Sequence, residues 1–295
     1  MTVNSQTNLS NACRHTYISG NTLISLTIIP EIVAARKDSS YFHFTIKSNT
    51  KGPIAVKIIG TETIFNKKAE DHVFVSQEYQ LEPNMNETTE YHQRVSPEGF
   101  LNSVKLVNGC ITYRAEFYFN KTNICTLKLN VIIPANFADK VLSNYRMFAE
   151  SSNLLFSIEG SRALLLHTED DLQFLISPFR PKLIIVGSQR IQSVTYSLIE
   201  EAAVKVKYRR SSWDPYMNVV QKEERALFTT QLSHNEFEYQ DGTVMMPLEI
   251  FRLNGFVESD VNGSYINIKH SLSVGIVVAD GNTYTLKAPI QVITS

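Results

Sequence analysis

The sequence predicts an all-β protein built as two tandem antiparallel sandwiches joined by a short hinge. Three observations carry that prediction. Apolar and polar residues alternate with period two over many short segments. Asx-Gly dipeptides, which supply the positive φ of tight hairpins, punctuate those segments. A lone stretch with helical spacing falls near the middle of the 295 residues and marks a junction.

The polar opening, MTVNSQTNLSNACRH, has no apolar run of the kind a secretory leader needs, and residues 1–20 are expected to form a flexible N-terminus. The first sandwich is assigned to 21–134. Its opening strand reads TLISLTI. In YFHFTIKS, Phe42, Phe44 and Ile46 alternate with His43, Thr45 and Lys47. ITYRAEFYF sets Ile111, Tyr113, Ala115, Phe117 and Phe119 against Thr112, Arg114, Glu116 and Tyr118, and TLKLNVII alternates after it. Such rows describe half-buried strands with one wet face. In NFADKVLSNYRMF, Phe137, Val141, Leu142, Tyr145 and Phe148 recur at helical spacing after Pro134, so residues 135–155 are expected to hold a hinge with a short helix.

The second sandwich is assigned to 156–295. IQSVTYSLIEEAAVKVKY reads as a long strand region, SSWDPYMNVVQKEER as a loop, and Tyr265–Ile293 as a closing hairpin turning at Asp280-Gly281. In that hairpin Ile266, Ile268, Leu272, Val274 and Ile276 share a face with His270. A histidine in an apolar row is expected to be a core residue that donates a ring N–H; the alternative is a ligand or catalytic base.

Net charge is −1, which gives no electrostatic argument for nucleic acid. The three cysteines, Cys13, Cys110 and Cys125, lack metal-ligand spacing and fit free thiols in a reducing cytosol. The Asn-X-Ser/Thr triplets at Asn8, Asn86, Asn120 and Asn262 are then incidental. No nucleophile elbow, phosphate loop or zinc-protease motif occurs, and the acidic run in HTEDDLQF has no glycine turn for calcium. Neither an enzyme nor a cofactor is expected.

Two surface features stand out. Lys205, Lys207 and Arg209 alternate along one strand face and could grip an anion; the alternative is a wet face balanced by Glu200, Glu201, Glu223 and Glu224. Arg210, Trp213, the only tryptophan, and Tyr216 lie close together in a loop-like stretch and form the candidate partner-binding patch, unless Trp213 folds back onto its own sandwich.

The second half resembles the C-terminal domain of the arrestin family, α-arrestins especially. The matching residues are Ile266, Ile268, His270, Leu272 and Val274, followed by Pro289, Ile290 and Val292. In the first half, Pro97, Phe100, Gly109, Ile111 and Tyr113 match a looser motif of the family's N-terminal domain, with Gly99 where serine is usual. The resemblance implies two arrestin-like (immunoglobulin-like) sandwiches and a non-enzymatic cytosolic adaptor. Such an adaptor would bind cytosolic tails of membrane proteins, a ubiquitin ligase or coat subunits, and would be recruited to the plasma membrane or endosomes. The chain departs from α-arrestins in lacking Pro-Pro-X-Tyr: in WDPYM, Pro215 directly precedes Tyr216. Ligase recruitment through that motif is therefore not expected. Retromer-like cargo-sorting subunits, which share the fold, are the alternative within the binding class. A small-ligand or catalytic β-sandwich protein centred on His270 is the alternative outside it.

Overall fold

The computed structural model describes residues 12–33, 40–65, 69–96, 99–132, 144–151, 154–161, 163–169, 172–176, 179–208, 217–237 and 239–294. The protein is all-β. Among the described residues the sole helical element is a 3₁₀ turn, His234–Glu236. The chain divides into two compact units, Met1–Ile133 and Pro134–Ser295.

The first unit contains β1 (Cys13–Ser19), β2 (Thr22–Ile28), β3 (Glu31–Val33), β4 (Ser40–Ser48) and β5 (Ile54–Phe65). It continues with β6 (Ala69–Leu81), β7 (Thr88–Val95), β8 (Val104–Lys105), β9 (Gly109–Phe119) and β10 (Thr122–Ile132). One sheet runs β1-β2-β4-β7, and the other runs β3-β10-β9-β5-β6 with β8 added on β9. The expected alternation is the observed burial: every second residue of β4 and β9 is buried. Phe42 and Phe44 of β4 meet Phe117 of β9, with ring centroids 6.4 and 5.4 Å apart, and form an aromatic center between the sheets.

The second unit contains β11 (Asn144–Ser151), β12 (Leu154–Ser161), β13 (Ala163–Glu169), β14 (Leu172–Leu175), β15 (Lys182–Gly187) and β16 (Ile191–Tyr208). It continues with β17 (Met217–Ser233), β18 (Tyr239–Gln240), β19 (Thr243–Pro247), β20 (Val261–Asn262), β21 (Ile266–Val278) and β22 (Thr283–Thr294). One sheet runs β11-β12-β15-β19-β18, and the other runs β14-β13-β22-β21-β16-β17 with β20 on β21. Its core is a continuous hydrophobic cluster drawn from both sheets.

The two units repeat one topology. The path β1-β2-β4-β7 corresponds to β11-β12-β15-β19, and β3-β10-β9-β5-β6 corresponds to β13-β22-β21-β16-β17. Both larger sheets include one parallel pair, β3 with β10 and β13 with β22, which departs from the purely antiparallel expectation. Strands β14 and β18 are additions to the common plan.

Three expectations are corrected. Residues 13–19 are not a flexible terminus but an edge strand, paired along its length with β2. The expected helix is overturned from Asn144 onward, where the chain forms β11 and pairs with β12 from Asn144↔Ser161 to Ser151↔Leu154. Phe137, Val141 and Leu142 lie outside the described residues. A segment this short gains little from helical propensity alone, so the hairpin ladder prevails. The stretch read as a loop is β17 from Met217 onward. As an edge strand exposed from Met217 to Ala226, it has no buried row and so no alternation to read.

Turn chemistry agrees in part. Asp241 and Gly242, both at positive φ (48° and 72°), make the two-residue turn that the right-handed strand twist favours. Gly109 and Gly263 are absent from the positive-φ residues, and the β9–β10 hairpin turns instead on Asn120 and Lys121, at 47° and 67°.

Phe117→Ala is expected to cost the first unit about 3–5 kcal/mol, because the facing sheet cannot collapse into the cavity. Urea unfolding monitored by circular dichroism checks this. Val107→Ala, at a position 79% exposed, should change stability by less than about 0.5 kcal/mol.

Candidate functional site

Strands β16 and β17 form one long hairpin whose last ladder pair is Tyr208↔Met217. Arg209, Arg210, Trp213 and Tyr216 fall in the connection that follows this pair and lie outside the described residues. Lys205 and Lys207 are described and exposed. They stand on the outer face of β16, since Glu200, Ala202, Val204 and Val206 form its buried row.

Register assembles the rest of that face. Lys205 sits opposite Val220 of β17, Ala203 opposite Lys222, and Glu201 between Glu224 of β17 and Lys269 of β21. Lys287 of β22 reaches Glu201 through a short ion-paired hydrogen bond. That bond first, with the charges of Lys287, Lys222 and Lys269, outweighs slight burial and holds the Glu201 carboxyl below its ordinary range. Lys205 Nζ donates to the Ser264 carbonyl at 2.9 Å. Among the described residues of β16, β17, β21 and β22, lysines 205, 207, 222, 269 and 287 therefore share the outer face with two acids, Glu201 and Glu224. The sequence had counted Glu200 and Glu223 there too. Parity places Glu200 on the inner face, and Glu223, opposite Ala202, belongs to the same side. The face is more basic than expected.

Glu200 turns inward to meet His270. The His270 ring is fully buried, with Nδ1 2.6 Å from Asp260 Oδ1 and Nε2 3.3 Å from Glu200 Oε2. Ionised carboxylates only accept, so both ring nitrogens donate and the ring is an imidazolium. Burial is the largest single influence and pulls its pKa down. The hydrogen bonds and charges of Asp260 and Glu200 together overcome that pull and raise it. Glu200 Oε1 accepts from Arg225 Nη2 at 2.8 Å. Burial pushes the Glu200 carboxyl up, but His270, Arg225 and the Glu258 backbone bring it below its ordinary value. Asp260 Oδ1 also accepts from Val292 N at 3.1 Å, tying the segment before β20 to β22.

The first unit holds the same place differently. Strand β8 pairs β9 at Val104↔Ile111, and β20 pairs β21 at Val261↔Ile268. Two residues further along, Tyr113 and His270 correspond, and their neighbours on β5 and β16 are Gly60 and Glu200. Tyr113 Oη donates to Leu101 O (2.8 Å) and accepts from Leu101 N (2.7 Å). A Cβ on Gly60 would stand 2.6 Å from its ring, so the glycine makes room for it. Ser103 accepts from Val131 N as Asp260 does from Val292 N. In the second unit the shorter histidine and Glu200 together reach the backbone that one tyrosine reaches in the first.

His270 thus lies on the inward face as expected. Its partners Asp260 and Glu200, and the Arg225 that holds Glu200, were not foreseen. The signal for Glu200 was present: it interrupts the apolar row Val194, Tyr196, Leu198, Ala202, Val204, just as His270 interrupts its own. Both nitrogens of the buried ring are engaged, which leaves no lone pair for a metal or a substrate proton. The arrangement is a structural clasp. No family model and no curated protein matches the chain.

Two outcomes follow from the clasp. His270 has a raised folded-state pKa, so its contribution is fully present below the ordinary histidine value and is lost as pH rises through the folded-state value. Glu200, held low, contributes above the ordinary carboxylate value and loses that contribution as pH falls through its lower folded-state value. Denaturation midpoints of the second unit should therefore fall at both ends of the pH range, and His270→Phe should remove the histidine part of the alkaline limb while leaving the parts due to Tyr196 and Lys287. Glu200→Gly alone is expected to cost roughly 1–3 kcal/mol, because it leaves the buried His270 Nε2 without an acceptor while Asp260 still holds Nδ1. Glu200→Gly combined with His270→Tyr recreates the pair found in the first unit and should recover much of that loss. A double-mutant cycle measured by urea unfolding checks the coupling.

Proposed function

We propose that this chain is a non-enzymatic arrestin-like adaptor of the cytosol that binds cytosolic tails of membrane proteins and is drawn to the plasma membrane or endosomes by them. The observation that supports this reading best is the basic outer face of β16, β17, β21 and β22, with Lys205, Lys207, Lys222, Lys269 and Lys287 on adjacent strands. It leads into the connection that carries Arg209, Arg210, Trp213 and Tyr216, which combines cationic and aromatic anchors. Sheet strands hold the lysines at fixed spacing, which suits an extended acidic or phosphorylated tail. Two sandwiches of one topology agree with the tandem architecture that the family resemblance implies. Among the described residues no helix is long and apolar enough to cross a membrane, so membrane recruitment in this reading is peripheral.

Affinity purification from the native cell with mass spectrometry tests the reading. The wild-type chain should capture membrane proteins together with a ligase or coat subunits, and the identity of the latter separates an α-arrestin-like role from a retromer-like one. Lys205→Glu with Lys207→Glu should reduce capture about tenfold at physiological salt and leave the melting temperature unchanged, since both side chains are exposed. An unaltered set of partners in that variant would remove this face from the mechanism.

A further inference from the structure

The strand β14 is unlike the other strands that end the sheets. It closes the second unit's larger sheet on the side away from β17, and among the described residues nothing pairs with its free edge. Leu172, Phe174 and Ile176 are 61, 52 and 48% exposed and form one outward row. That orientation is fixed from behind. The Gln173 side-chain amide donates to Val257 O and accepts from Val257 N, both at 2.7 Å, and Leu175 packs on the core.

Edge strands are normally guarded by charge, proline, a bulge or brevity. Here β1 has Arg14 and His15, β6 has Glu70, Asp71 and Glu78, β7 has Glu90 and Arg94, and β11 has Arg146 and Glu150. Strand β17 has Lys222 to Arg225 and a bulge at Leu227. Strand β3 is three residues long and carries Glu31; β18 has only two residues. No charge, proline or bulge occurs from Leu172 to Ile176.

The ladder sets which backbone groups are free. Ile176 N donates to Leu165 O, so Ile176, Phe174 and Leu172 direct their backbone groups toward β13. Gln173 and Leu175 therefore direct theirs outward. A twofold axis at Phe174 places Gln173 of one chain opposite Leu175 of another, which matches two donors and two acceptors on each side. The same axis sets Leu172 against Ile176 of the second copy and Phe174 against Phe174 of the second copy. The apolar row is complementary to itself, and no charged residue lies within Leu172–Ile176 to oppose the pairing.

We propose that β14 is a self-association edge, at which a second copy of this chain adds antiparallel about Phe174 and joins two sheets into one. The dimer is isologous. Its contact is small beside the roughly 1,600 Å² of a standard interface, so it forms at micromolar or higher concentration. The proposal is independent of the adaptor reading.

Sedimentation velocity from about 1 to 100 μM tests it. The wild-type chain should shift from one chain to two across that range. Phe174→Lys, an exposed change that leaves the melting temperature alone, should weaken association at least about tenfold. In a Cys13→Ser background, Phe174→Cys should form a disulfide dimer under mild oxidation, because facing residues of a non-hydrogen-bonded pair have the required spacing. Leu172→Cys should not, since its own twofold mate is four residues away in register. A single-chain mass throughout, a dimer indifferent to Phe174→Lys, or equal cross-linking at Leu172→Cys would each overturn the proposal.

Discussion

The pleat of the β-strand governs this protein: each side chain faces away from its neighbour, so one residue's step decides between core and water. Two sheets can close on each other only where their apolar rows coincide. The consequence is plainest at Glu200 and Glu201. The first lies between His270 and Arg225 inside the sandwich; the second lies outside with Lys287. Identical side chains at adjacent positions serve a buried clasp and a charged surface, and the difference is parity alone.

The paired units show two solutions to one packing problem. Each must tie the segment before its short strand, β8 or β20, to the larger sheet. In the first unit a neutral tyrosine does so, with Phe100 stacked on it and Phe74 against its edge. In the second, a charged group of four does so. Buried charge is costly unless every partner is in place, and here each carboxylate has at least two donors. Arg225 is about half exposed, so water screens its share, and the Asp260–His270–Glu200 contacts matter more.

Much of this fold was legible because most strands bury one row. The alternation in β4, β9 and β21 needed no tertiary information, and neither did the inward setting of His270. What escaped the sequence had physical reasons. Strand β17 exposes both faces, so it leaves no period. Residues 144–151 carry apolar groups at spacings that suit a helix, and only pairing with β12 decides against it. The parallel pairs β3–β10 and β13–β22 join segments far apart in the chain. The repeated topology constrains which rows are apolar but not which side chains fill them, so Tyr113 and His270 share a place without sharing chemistry. Of the candidate site, Lys205 and Lys207 were readable; Lys222, Lys269 and Lys287 were not, because only register brings them to the same face, and the surplus was not, because it rests on where Glu200 and Glu223 face.

Those parallel pairs bear on how the chain is made. In each unit an early strand joins the rest of its larger sheet only through the last: β3 through β10, and β13, already paired with β14, through β22. Neither sandwich can close as it leaves the ribosome until its final strand has emerged. The first unit has β10 by residue 132, whereas the second waits for residue 294. Synthesis thus imposes an order: one sandwich folds while the other is still an open set of hairpins with unpaired edges, and non-local closure of this kind is slow. During that interval the nascent chain exposes strand edges that the finished protein pairs.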